Sequence, residues 1–284
     1  MRAIFMIKTL ILTLMVLSIP CHAIVTRHDI ASERYLAEPS DFKPLATFYI
    51  DGAHGTLIKP QWVITAAHAT FCLGAGKNIS INKKLHQVEQ VFIHNKYAPG
   101  QSHDIALVKL TTPVNDIRPA TPYKQTNENN QSIWFIGIGG TGNGLTGQTI
   151  DNFENKGILR KAQNKVEQAI GPLLKFKFDK GDTALPLEGV SGGGDSGGPA
   201  YLIDEHGELH ILGISSRFKG SAIGKYGITE IYTRVSYFHQ WINYIINGDT
   251  KERNQISTTI LSHLPAGLTT ALLPTVCKDI NLKP

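Results

Sequence analysis

The sequence predicts an all-β protein, a barrel or sandwich, finished by one helix near the C-terminal end. Three observations carry this. Helical periodicity is scarce until late in the chain, and short runs rich in β-branched and aromatic residues recur between Gly, Pro and Asn punctuation. A chain of 284 residues that is 42% apolar, 18% charged and 8% aromatic can also bury a sizeable core, which excludes disordered and collagen-like classes.

Taken in order, Met1 to Ala23 starts with Arg2 and Lys8, continues through the apolar run Leu10 to Ile19, breaks at Pro20 and ends on small Ala23. This reads as a secretory signal peptide, too short in its apolar run for a membrane span, which needs about 20 residues. A lipid-modified Cys21 is disfavoured because Pro20 precedes it. Signal removal would leave a secreted protein, extracellular or periplasmic, with no stable membrane association.

Strand-like runs follow at Ala46 to Ile50, Trp62 to Thr65, Gln87 to His94 and Ile105 to Leu110, then at Ile133 to Ile138, Leu159 to Val166 and Lys175 to Phe178. The last three are Ala200 to Ile203, His210 to Ser215 and Glu230 to Thr233. Between the two sets, Thr111 to Ser132 holds Pro113, Pro119 and Pro122 and reads as a connector of two halves, roughly 24–120 and 130–235. Phe238, Trp241, Ile242, Ile245 and Ile246 recur at helical spacing and stop before Gly248, so a helix over 236–247 is expected. Residues 249–284 form a C-terminal extension, polar at first, then apolar and broken by Pro265 and Pro274.

Charge and cysteine usage narrow the function classes. Lys and Arg number 28 against 23 Asp and Glu, scattered without a basic stripe, which argues against a nucleic-acid partner. With Cys21 lost, Cys72 and Cys277 remain in an oxidising compartment. A single disulfide between them is the natural arithmetic, two buried thiols or an intermolecular link being the alternatives. Such a bridge would close about 205 residues and stabilise by several kcal/mol on the chain-entropy model.

Three segments carry chemistry: Thr65-Ala66-Ala67-His68, His103-Asp104-Ile105-Ala106-Leu107, and Gly192-Gly193-Gly194-Asp195-Ser196-Gly197-Gly198-Pro199. A serine hydroxyl is a poor nucleophile until a base lies within hydrogen-bond reach. An imidazole supplies the base, and a buried carboxylate on its far nitrogen fixes the tautomer. His68, Asp104 and Ser196 are the candidates for base, orienting acid and nucleophile. The glycines suit two convergent backbone amides for an oxyanion, assigned to Gly194 and Ser196. Each segment alone also fits a loop, a turn or a structural histidine, but jointly they are specific.

On these residues the chain resembles the chymotrypsin/trypsin-like serine endopeptidases, here a secreted protein of bacterial type. His, Asp and Ser occur in that family's order, 36 and 92 residues apart. Gly55-Thr56-Leu57-Ile58 before Trp62-Val63, Leu159-Arg160-Lys161-Ala162 on to Val166, and Tyr232-Thr233-Arg234-Val235 before Trp241-Ile242 extend the resemblance over most of the mature chain. It implies two six-stranded antiparallel β-barrels with the site between them, polypeptide substrates, no cofactor, no metal and a monomer. It also implies that a free Ile24 amino terminus, 44 residues before His68, folds inward to pair with Asp195. An α-amino group titrates near about 7.7–8.0, and such a pairing would raise it.

The resemblance places Val190 at the base of the specificity pocket, where trypsin has Asp, so the usual anion is missing. Ser216 is expected to orient Asp104 and the substrate backbone, and Phe218 to narrow the pocket. Glu230 stands where the family has glycine on the pocket wall, so it meets either a basic substrate side chain or a local partner such as Lys225. The disulfides that usually brace the His and nucleophile loops are absent.

Other readings are weaker. A secreted binding protein on the same fold without catalysis usually lacks a triad member or the oxyanion glycine, and all are present here. An α/β-hydrolase needs the nucleophile first. His206-Gly207-Glu208-Leu209-His210 superficially matches a zinc helix, but Gly207 and the flanking strands make it a hairpin turn. The sequons at Asn78 and Asn130 are expected by chance.

Overall fold

The computed structural model describes residues 24–259, 261, 264–265 and 267–283; the expected signal peptide and Cys21 lie outside them. The first half closes into a six-stranded antiparallel barrel. Leu45–Tyr49 pairs with Gly52–Lys59, which pairs with Trp62–Thr65, then Ala106–Leu110, Lys84–His94 and Asn78–Ile81, and the last returns to Leu45–Tyr49. Closure gives each of the six strands a paired neighbour on both sides. It also explains why every residue of Trp62–Thr65 is buried: one face lines the barrel core and the other is covered by neighbouring segments.

Gly52–Lys59 is the strand that propensity hides, because Gly52 and Gly55 interrupt it. The glycines answer to packing. A Cβ on Gly55 would lie 2.6 Å from Val63 and 2.8 Å from Phe48, and one on Gly52, at φ 132°, would lie 2.4 Å from the Gly194 carbonyl oxygen. The strand is therefore pressed against the glycine-rich loop of the second half.

That second half is a sheet in the order Arg160–Lys165, Ser132–Gly137, Pro199–Ile203, Leu209–Lys219, Thr229–Arg234, Leu173–Lys177, Gln168–Ile170, curled into a half-barrel. No backbone ladder joins Arg160–Lys165 to Leu173–Lys177. Instead the Asn164 side-chain amide donates to the carbonyls of Lys177 (3.0 Å) and Gly189 (3.1 Å), stitching the gap. A smaller sheet seals the flank, with Ile24–Thr26 between Thr141–Asn143 and Gly189–Val190.

The connector is pinned by a buried ion pair. Glu128, fully enclosed, accepts from Arg234 at 2.9 and 2.8 Å and from the Ser236 hydroxyl, so its charge is matched where the second half turns into the terminal helix. That helix, His239–Asn247, buries Trp241, Ile242 and Ile245 against the first barrel.

The extension also folds. Asp249 caps Thr250–Ile256 by accepting from the Glu252 amide at 2.8 Å, and Ser257–Thr258 adds to Lys84–His94. A further helix, Leu273–Ile280, starts with Pro274 in its first turn, where a missing N–H costs nothing. It lies on the first barrel, where the Ile50 amide donates to Ile280 and Cys277 is bonded to Cys72, with Cα atoms 5.3 Å apart. Among the described residues no helix is long and apolar enough to cross a membrane.

Candidate active site

Trp62–Thr65 and Ala106–Leu110 are paired with Thr65 opposite Ala106. The register brings the residues after one strand and before the other to the same end of the barrel, which is how His68 and Asp104 meet. His68 sits on the single turn Ala67–Thr70, held by the Thr70 hydroxyl bonding to the Ala67 carbonyl at 2.7 Å. Its Nδ1 lies 2.7 Å from Asp104 Oδ2, and its backbone N–H donates to Oδ1 at 3.0 Å. The Ser216 hydroxyl donates to Oδ2 at 2.6 Å. A carboxylate so engaged accepts Nδ1–H and leaves Nε2 free to take a proton.

Burial alone would raise Asp104, but the His68 charge and the hydrogen bonds from His68 and Ser216 outweigh it and hold it below the usual carboxylate value. Burial alone would lower His68, but the Asp104 charge and hydrogen bond outweigh it and raise it.

Ser196 arrives from the second half. The Gly197 amide donates to the Ser215 carbonyl at 2.9 Å and the Ser215 amide to the Gly198 carbonyl at 2.8 Å, fixing the Ser196 loop beside the strand that supplies Ser216. From the other side the His54 amide donates to the Ser196 carbonyl at 2.7 Å. A Cβ on Gly197, at φ 75°, would lie 2.2 Å from Thr65 Oγ1 and 3.2 Å from the Ala66 nitrogen, so this loop rests on the segment that runs into His68. The Ser196 hydroxyl makes no hydrogen bond among the described residues. Unliganded sites often hold this contact loosely.

The amides around it divide cleanly. Those of Gly193, Asp195, Gly197 and Gly198 all donate within the protein, whereas those of Gly194 and Ser196 donate to nothing among the described residues. Gly194 lies at φ 92°, a conformation open to glycine. Gly193 is held by Gln148, whose Oε1 accepts its amide at 2.7 Å.

Asp195 is buried and accepts from the amides of Gly139 (2.7 Å) and Gly192 (2.9 Å). His54 Nε2 lies 3.8 Å from it, an ion-pair distance. Burial pushes Asp195 up to about 7 and His54 down to about 4, disfavouring charge on both. Ile24 and Val25 are fully enclosed nearby, with the Thr141 hydroxyl donating to the Ile24 carbonyl at 2.6 Å. Ile24 carries φ 60°, an outlier for a β-branched residue.

A cavity of about 290 Å³ opens beside Ser196, lined by Ser216, Arg217, Phe218, Ile223 and Glu230 among others. Val190 has no surface on it: the side chain is wholly buried in the apolar cluster with Val25, Phe178 and Ile228. A second cavity of about 280 Å³, between Phe42, Tyr49, Leu159 and Leu282, holds none of these groups. His206 to Glu208 forms a hairpin turn in which the His206 and Glu208 amides donate to Asp204.

The sequence reading overlooked His54 and Gln148. The first lies one residue before the quoted Gly55 segment and was open to notice. The second carries no local signal.

Residues 35–242 match the sequence profile of the family described as trypsin. The chain is 30% identical over 288 residues to a tryptase of Mus musculus, covering 86% of this chain and 100% of that protein. It is 28% and 27% identical over 215 residues to transmembrane protease serine 11G of Mus musculus and of Rattus norvegicus, in each case over 69% of this chain and 51% of the relative. The chain thus spans about half the length of those two relatives. All three are rodent proteins, which gives the expected bacterial type no support.

Proposed function

The chain belongs to the trypsin family, and from that premise we propose that it is a secreted serine endopeptidase, acting outside the cell or in a periplasm. The observation that carries the reading is the pairing of a hydrogen-bonded His68–Asp104–Ser216 unit with a nucleophile loop whose Gly194 and Ser196 amides are unspent. Ser196 Oγ attacks the carbonyl carbon of the scissile peptide while His68 Nε2 takes its proton. The oxygen that becomes negative is received by the two amides, and Asp104 stabilises the imidazolium. His68 then returns the proton to the leaving amine as the C–N bond breaks, giving an acyl-enzyme on Ser196. Water, deprotonated by His68, hydrolyses that ester.

Asp195 completes the reading. Burial keeps its carboxyl protonated up to about 7 unless a cation arrives, and an α-ammonium at Ile24 would be that cation. Cleavage of the Ala23–Ile24 bond supplies it. The same cut removes the carbonyl carbon that defines the Ile24 φ angle, and with it the left-handed conformation. Signal removal is therefore proposed as the activating step. One extra residue before Ile24 should abolish most activity; full activity in that variant would refute the step.

The decisive test is labelling of the purified protein with a fluorophosphonate, followed by peptide mapping. Modification of Ser196 in the wild type and none in Ser196→Ala is expected. An unmodified Ser196, with no peptide hydrolysis, would leave a binding protein on this fold.

A further inference from the structure

Glu230 borders the cavity that holds Ser196 and takes no part in the reaction. It lies on Thr229–Arg234, opposite Phe218 on one side and Phe176 on the other, and is 3% exposed. Its carboxyl group makes no hydrogen bond and no ion pair among the described residues, although it borders the cavity that holds Ser196. The basic neighbours do not satisfy it. Lys225 forms no ion pair with it, and Arg217 is turned to the Gln101 carbonyl (2.7 Å) and the Ser216 hydroxyl (3.4 Å). The hydroxyls below are also occupied, Ser191 and Tyr232 being bonded to each other.

A buried carboxylate without a partner is costly, and proteins retain such a group where a ligand supplies the missing charge. The cavity fits one kind of ligand. Phe218 and Ile223 line it with apolar surface suited to methylene groups, and Glu230 and Ser196 both border it. Val190, where an acid at the pocket base would have been expected to read such a group, is sealed off in another cluster.

Resting on the peptidase reading above, we propose that Glu230 is the specificity anion of this site, receiving the ammonium or guanidinium of a Lys or Arg side chain on the acyl side of the bond that is cut. The charge is supplied from the pocket wall. Burial, and Asp195 whenever that carboxyl is ionised, raise the Glu230 carboxyl well above its ordinary value. A substrate cation offsets both effects, so the energy gained on binding is greatest for a side chain that carries one.

The test uses diphenyl phosphonates bearing Lys, Arg, Phe or Ala side chains on the full secreted protein, with a fluorophosphonate lacking any such side chain as reference. The basic phosphonates are expected to inactivate at least about tenfold faster than the Phe and Ala ones. Glu230→Gln should reduce that ratio by about tenfold or more, and Glu230→Asp should restore part of it. Because each protein supplies its own ratio, altered folding or overall reactivity does not mimic the result.

Fluorophosphonate labelling of Ser196 together with faster inactivation by the Phe or Ala probe would overturn the proposal and leave the peptidase reading intact. So would an unchanged ratio in Glu230→Gln. If the fluorophosphonate does not label, the peptidase reading fails by itself, and benzamidine binding measured by calorimetry decides the cation site. Binding lost in Glu230→Gln supports it; no binding to the wild type overturns it.

Discussion

Asp104 and Asp195 are carboxyl groups buried to 6% and 3% exposure, yet their pKa values move in opposite directions. Asp104 stands among three donors from two segments, the imidazole and backbone amide of His68 and the hydroxyl of Ser216, and is held ionised. Asp195 has two amides and a histidine too deeply buried to charge, and is pushed up to about 7. Burial is common to both, so the available positive charge decides the outcome. Around Asp104 the donors are all in place, the Ser216 hydroxyl reaching across from the second half. The second-barrel side carries deficits, in Asp195, Glu230 and two idle amides, which a new amino terminus, a substrate cation and an oxyanion are suited to fill.

The contrast can be broken most severely at Asp104. Asp104→Asn removes the charge and favours the wrong imidazole tautomer, so kcat/KM should fall by ~10⁴, the loss known for this substitution in other serine peptidases. A loss below about tenfold in steady-state peptide hydrolysis would mean that His68 is not the base.

The first side is also braced from outside by the Cys72–Cys277 link, which ties the extension next to the His68 turn. Replacing both cysteines by Ala should lower the unfolding free energy by about 2–5 kcal/mol in chemical denaturation. No change would show that the extension is held by its strand pairing alone.

On the second side, Asp195→Asn leaves either the Gly139 or the Gly192 amide facing another N–H, loosening the loop that shapes the oxyanion donors. A drop of about 10²–10³ in kcat is expected, the size of losing one such donor. A drop confined to KM would detach Asp195 from that loop.

The smallest effects concern proton balance. His68 must be neutral to act, and its value is raised, so the acid limb of kcat/KM should lie above about 6.5. In the folding equilibrium the same shift contributes stability that is fully present below about 6.5 and lost as the pH rises through the folded value. Ser216→Ala removes one donor from Asp104, strengthening its hold on His68. The limb should move upward by a few tenths of a unit with less than about a tenfold loss in rate. A downward move would reverse the assigned role of Ser216.

Much of the architecture was legible in short stretches of chain. Trp62–Thr65 was delimited by its own apolar run, and the helix carrying Trp241, Ile242 and Ile245 by its spacing and the following Gly248. Gly52–Lys59 was not, because its glycines answer to Val63, Phe48 and Gly194 rather than to strand propensity. The helices of the extension were missed because Thr250–Ile256 (7 residues) and Leu273–Ile280 (8 residues) are too short for a periodic pattern to stand out.

The sequence by itself determined which groups are available: a candidate base, acid and nucleophile in a particular order, flexible glycine around the last, two cysteines and Glu230. Only the tertiary structure decided which of them are satisfied. Ser216 reaches Asp104 across 112 residues and Thr233 reaches its carbonyl across 129, while no donor among the described residues reaches the Glu230 carboxyl group. The reason is physical. A strand or a turn is specified by neighbours along the chain, but the ionisation of a buried group depends on donors and charges within a few ångströms, which the fold draws from distant segments.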